Sequence, residues 1–149
     1  MFSEMLHNRV LIPMMIAWLL GQFLKAPLEY IINRQWKWGV MFSAGGFPST
    51  HSALVTCASL SIGLREGFST ALFALSVAIA MVVVYDAAGV RQEAGKHARI
   101  INEIVTEIFE GHQFPEKKLK EVLGHTPVEA ISGIFLGVII ALAYWLLVP

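Results

Sequence analysis

The sequence predicts an all-α integral membrane protein: a helical bundle of about four transmembrane helices with one amphipathic interfacial helix. Three observations predict it. Hydrophobic residues make up 56% of the 149 and charged residues only 15%, with a mean hydropathy of +0.62, whereas a soluble domain carries about a quarter charged residues. Four apolar segments follow one another, roughly Val10–Leu24, Ser49–Leu64, Ser69–Tyr85 and Pro127–Val148. Between the third and fourth, apolar and charged residues alternate at helical spacing.

The length predicts one domain over residues 1–149. The formal net charge of zero, with no basic stripe and interleaved aromatics, excludes a nucleic-acid partner. Cys57 is the only cysteine, so neither an internal disulfide nor a cysteine zinc cluster is expected.

Each element has its own signal. Val10–Leu24 follows Arg9 and ends in Lys25-Ala26-Pro27; without a small-x-small cleavage site it reads as a retained membrane helix. Glu29 to Phe42 mixes Tyr30, Trp36 and Trp38 with Arg34 and Lys37, a composition suited to the membrane–water interface. The second and third segments are joined by Arg65-Glu66-Gly67, which predicts an antiparallel pair. Ala53, Ala58, Ser59, Ser61 and Gly63 favour close helix contact in lipid, and such segments are compatible with a homodimer. From Ala88 to Phe109, Val90, Ala94, Ala98, Ile101, Ile104, Val105 and Ile108 form the apolar stripe of an amphipathic helix. A polar link, Gly111 to Glu116, and a charged turn, Lys117 to Leu123, lead to the fourth segment.

Four crossings put the N-terminus, the Arg65 turn and the C-terminus on one face, and the two long connections on the other. Nine of the eleven Lys and Arg residues then fall on the second face, which positive-inside reasoning places in the cytoplasm.

The polar residues of chemical interest gather on that second face. Gly45-Gly46-Phe47-Pro48-Ser49-Thr50-His51-Ser52 leads a glycine loop into an apolar helix. Pro48 suits the first helical turn, and the unpaired N–H groups of such a turn attract a phosphate. His51 adds a proton donor and acceptor that works near neutral pH. Lys25 ends the first segment, Asp86 ends the third, Arg91 follows five residues later, His125 precedes the fourth and Glu129 sits in its first turn.

Three motifs in order carry a resemblance spanning about Lys25 to Gly137. Pro48-Ser49-Thr50-His51 resembles the Pro-Ser-x-His motif of the type 2 phosphatidic acid phosphatases, relatives of the vanadium-dependent haloperoxidases. Tyr85-Asp86-Ala87-Ala88-Gly89-Val90-Arg91 and Gly124-His125-Thr126-Pro127-Val128-Glu129 resemble segments of that superfamily's small, divergent bacterial and plant branch. The resemblance implies a lipid-phosphate phosphatase without a metal or other cofactor. It implies that His125 attacks phosphorus to form a phosphohistidine, that Glu129 orients its ring, and that His51 protonates the leaving alcohol. Lys25, Ser49, Arg91 and N–H groups near Gly46 would bind the phosphoryl oxygens, with Asp86 in support. Such catalysis rests on positioning and charge stabilisation, through a covalent intermediate.

Plainer readings stand beside these. Thr126 and Glu129 form a Thr-x-x-Glu capping box, Lys25 reads equally as a lysine snorkelling from a helix end, and Asp86 with Arg91 reads as a structural ion pair. Where the superfamily's last motif has Ser-Arg, this chain has Lys118-Leu119. That absence motivates a second reading, a lipid-phosphate binding or transport protein without turnover. A third is a metal-dependent enzyme with Asp86, His125 and Glu129 as ligands.

Overall fold

A computed structural model describes residues 5–34, 36, 38–42, 45–108 and 126–148, excepting the side chains of 90–92 and 107–108. The described residues form five α-helices and one short 3-10 helix. They are α1 (Leu11–Asn33), a 3-10 turn (Trp38–Phe42), α2 (Thr50–Glu66), α3 (Ala71–Ala88), α4 (Val90–Ile108) and α5 (Pro127–Leu147). The predicted links at Gly111–Glu116 and Lys117–Leu123 lie outside the described residues.

α1 runs nine residues past the expected end at Leu24, through Pro27. A proline inside a helix removes one intrahelical hydrogen bond, a loss that membrane helices absorb where neighbours resatisfy the freed group. The helix stops at Arg34, which takes the left-handed conformation (φ 54°) and donates its N–H to the Tyr30 carbonyl at 2.9 Å. Tyr30, Trp36 and Trp38 then stack edge to face, with centroids 5.7 and 5.2 Å apart. All three are exposed, as an aromatic interface belt requires.

The polar turn expected after α2 is present. Gly67 caps α2 at φ 101°, and Thr70 opens α3 by accepting from the Phe73 N–H at 3.2 Å. Phe68 and Phe73 close over Gly63, where a Cβ would lie 2.5 Å from the Phe68 ring.

The amphipathic helix is also present, as α4. Only Gly89 separates it from α3, and helical hydrogen bonds run through the junction, from Gly89 N–H to Tyr85 and from Glu93 N–H to Gly89. Ile101 and Ile104 of its apolar stripe are exposed, as is the neighbouring Ile100. Its charged face pairs Lys96 with Glu93 (2.6 Å) and Arg99 with Glu103 (2.9 Å). The hydrogen bond from Lys96 holds the Glu93 carboxyl below the usual carboxylate range.

Among the described residues, three helical runs are long and apolar enough to cross a membrane: α1, the 36-residue run Ala71–Thr106, and α5. That 36-residue run is about 54 Å long, far more than the roughly 30 Å hydrocarbon layer, so its charged half extends beyond it. The Ser49–Leu64 segment, expected as a fourth crossing, forms the 17-residue α2, which is not among the three. The reason is its place. α2 packs against α1, α3 and α5 together, so it buries Thr50, Ser52, Ser59 and Ser61 in protein and has little need of an apolar coat.

The chain ends of these helices fix their directions. At one end Arg65 Nη2 donates to the Val148 carbonyl (2.9 Å), and Arg9 shares a small cleft with Arg65, Tyr144 and Trp145. At the other end Ser49 of α2 meets Glu129 of α5, and Gly21 of α1 meets Thr50. Thus α2 and α5 run parallel, with α1 and α3 antiparallel to them. The cations Arg9 and Arg65 share one end, as expected.

Small residues bring these helices together. The core is Ala17, Ala53, Cys57, Ile140 and Ala141. A Cβ on Gly137 would lie 2.5 Å from the Ala53 carbonyl oxygen and 3.0 Å from the Cys57 nitrogen. A Cβ on Gly133 would strike the Ser49 carbonyl oxygen. Both obstacles are backbone, so the helices must separate to admit a methyl group. Gly133→Ala and Gly137→Ala should each cost about 1–3 kcal/mol in reversible unfolding in detergent. Gly39→Ala, where nothing lies within 4 Å, should stay near wild type.

Candidate functional site

The approach to α2 dives into the bundle. Gly46 takes φ 97°, a conformation for glycine, and the Phe47–Pro48 peptide is cis. Pro48, Ser49 and Thr50 are buried. Pro48 was expected in the first helical turn; it precedes the N-cap instead, because Ser49 is the residue whose hydroxyl caps the helix. Ser49 Oγ accepts from the Ser52 N–H (3.3 Å) and from the Ser52 hydroxyl (3.0 Å). With both bonds accepted, the Ser49 hydroxyl keeps its own proton to donate.

α5 begins with the predicted capping box. The Glu129 N–H donates to Thr126 Oγ1 (3.3 Å), and the Thr126 N–H donates to Glu129 Oε2 (2.9 Å). Pro127 occupies the first turn. The plain reading of Glu129 is therefore correct as far as it goes. The Glu129 carbonyl also accepts from the Ser49 N–H across the helix pair (3.0 Å) and from the Ser132 hydroxyl (2.7 Å).

That inter-helix bond is the centre of the site. It locks two parallel helix N-termini side by side, each carrying the positive end of its dipole. α1 brings Lys25 to the same place. Lys25 is 0% exposed and lies within electrostatic reach of Glu129. It does not snorkel and does not end its helix. It lies eight residues before Asn33, about 12 Å along the axis, because α1 continues past Pro27.

The remaining predicted residues have these positions. His51 is half-buried in the first turn of α2, Gly46 is half-buried in the approach, and Asp86 is half-buried near the end of α3. Tyr85 and Ala88, beside Asp86, border the same groove as Pro127, so Asp86 shares the end of the bundle that holds Ser49 and Glu129. Arg91 falls in the first turn of α4, with its side chain outside the described residues. His125 also lies outside them; in the chain it directly precedes the N-cap Thr126. Among the described residues no three of His, Cys, Asp and Glu gather as a metal site. The proposed metal set includes His125 and so lies partly outside them.

Sequence reasoning assigned nothing to Ser52 or Ser132, which complete the hydroxyl network. The signal was there: Ser52 follows Ser49 by three residues, the spacing at which a cap meets its helix, and Ser132 follows Glu129 likewise.

The fold and site define a class: a helical membrane protein whose polar centre joins a buried lysine to the paired N-termini of two parallel helices. The chain belongs to the Divergent PAP2 family, whose profile matches residues 6–140. It is 37% identical to the uncharacterized membrane protein YuiD of Bacillus subtilis (strain 168), over 93% of this chain and 95% of that protein. No solved structure matches it.

The interplay of Lys25 and Glu129 can be measured. Glu129→Gln removes the charge and keeps a side chain that suits the capping box, while Lys25→Met keeps the packed stem. The double variant should be more stable than the two single losses predict, by about 0.5–3 kcal/mol. Strict additivity in detergent unfolding would mean that the two charges do not act on each other.

Proposed function

We propose that this chain is a membrane lipid-phosphate phosphatase, a phosphomonoesterase or diphosphatase. The observation that carries the reading is Lys25: a fully buried lysine within the bundle, beside two helix N-termini held together by the Ser49–Glu129 bond. A buried cation costs several kcal/mol unless it is compensated. Glu129 compensates one charge, and the two dipole ends add further positive potential, so the place suits a multiply charged anion. Membership of the Divergent PAP2 family points the same way.

In this mechanism Lys25, Ser49, Arg91 and the N–H groups near Gly46 hold the phosphoryl oxygens. His125 attacks phosphorus and the bond to the leaving oxygen breaks. His51 gives that oxygen a proton, and water then releases phosphate from the phosphohistidine. Glu129, already fixed by its capping box, holds the His125 ring. Phosphate release from a panel of lipid phosphates and diphosphates tests this directly. His125→Ala should abolish release, and Lys25→Met should lower it by about a hundredfold or more, as expected for lost charge stabilisation at a phosphoryl centre. Undiminished release by the His125→Ala protein would refute the mechanism.

The Lys118-Leu119 pair, standing where the superfamily carries Ser-Arg, favours one alternative: a lipid-phosphate binding or transport protein. Its signature is a thermal shift with anionic lipids and no phosphate release from any substrate.

The site belongs to the cytoplasmic face of a multi-pass protein in this reading, because nine of eleven cations fall outside the Arg9–Arg65 end. A cysteine placed at Trp38, in a Cys57→Ala background, should react with an impermeant maleimide only from the cytoplasmic side. One placed at Glu66 should react only from the opposite side. The reverse pattern would invert the topology.

A further inference from the structure

α3 and α5 scarcely touch each other, and between them, floored by α2, lies an apolar groove of about 530 Å³. Its walls run from Pro127 to Ile134 on α5 and from Val77 to Ala88 on α3, with Thr56 and Ser59 of α2 beneath. The Ser59 hydroxyl is turned away, donating to the Ser76 carbonyl at 2.9 Å.

We propose that this groove holds the aliphatic tail of the lipid whose phosphate occupies the Lys25–Ser49–Glu129 centre. The proposal rests on the lipid-phosphate reading for its polar end and on three observations for its apolar end.

The first is continuity. Pro127, at the top of the groove, is the first residue after the Thr126 cap, and Ala130 in its wall follows Glu129 directly. A chain lying in the groove delivers its head to the N-terminus of α5.

The second is access. Met81 and Tyr85 of α3 and Ile131 of α5 line the groove and are themselves exposed, on helices apolar enough to span, so the groove opens toward the hydrocarbon where lipid is at hand.

The third is width. At about 1.5 Å per residue the groove runs about 10 Å along α5 and about 16 Å along α3. Its volume then gives a cross-section of about 30–50 Å², a narrow slot in which an aliphatic chain fits.

The experiment uses the whole protein in vesicles containing hexadecyl phosphate with a photoreactive diazirine near its eighth carbon. That carbon lies about 10 Å from the phosphate, at roughly 1.25 Å per carbon of extended chain. Labelling should concentrate on Val77, Val84 and Ile134. Ala80→Phe, which narrows the groove from α3, should reduce it by about tenfold, the low end of what one excess group costs in an apolar pocket. Ile134→Trp narrows it from α5 and should act alike.

Labelling spread evenly over Leu75, Ile79, Phe135 and Ile139, in wild type and variants, would overturn the proposal. So would equal groove labelling by hexadecanol carrying the same diazirine, since the phosphate would then not position the tail. Phosphate release measured on the same samples separates the two ideas. Groove labelling that depends on the phosphate, without release, keeps the tail site and removes the phosphatase reading. Release with even labelling does the opposite.

Discussion

The contact on which the rest depends is the approach of α5 to α2 at Gly133 and Gly137. A side chain at Gly133 would collide with the Ser49 carbonyl, and one at Gly137 with the carbonyl of Ala53. Without that proximity the Ser49 N–H could not reach the Glu129 carbonyl. Lipid tails are as apolar as the helices, so no hydrophobic force drives two helices together in a bilayer. Close van der Waals contact and a hydrogen bond across the pair do that work here. The same bond aligns two dipole ends, so one packing constraint makes both the bundle and its polar centre.

The position of α2 follows from the same logic. A helix carrying Thr50, Ser52, Thr56, Ser59 and Ser61 would be costly in contact with hydrocarbon. Surrounded by α1, α3 and α5, it satisfies two of these hydroxyls locally, Ser52 on Ser49 and Ser59 on Ser76. The outer helices supply the apolar surface, with Leu72, Ile79 and Phe135 exposed. The protein thus keeps its polar hydroxyls in the middle and its greasy residues outside, the reverse of a soluble bundle.

Local rules made much of this readable from residues alone. Thr126-Pro127-Val128-Glu129 forms the capping box it spells, and the Arg65-Glu66-Gly67 turn joins an antiparallel pair, because both depend on residues within a turn of each other. What was not readable depends on packing. Pro27 is a strong sign that a helix is ending, yet tertiary contacts carry α1 on to Asn33 and bury Lys25 inside it. Likewise Pro48 precedes the N-cap instead of entering the first turn. Ser49, Thr50 and Ser52 all offer hydroxyls suited to a cap, and only the fold decides that Ser49 takes the role. The apolar groove had no sequence signal at all, since it exists only because α3 and α5 stand apart.

The structural role of Glu129 and the chemical role proposed for it reinforce each other. An orienting carboxylate must itself be held still, because a loosely placed partner leaves the group it orients free to wander. The capping box spends Oε2 on the Thr126 N–H, and the Ser49 N–H anchors the backbone of the same residue from another helix. Both restraints act before any ligand arrives. The extra methylene of a glutamate, which would loosen an unsupported contact, is the length that lets the side chain turn back onto its own N-cap. In this chain the cap is therefore the device that makes glutamate rigid enough for the part that the resemblance assigns to it.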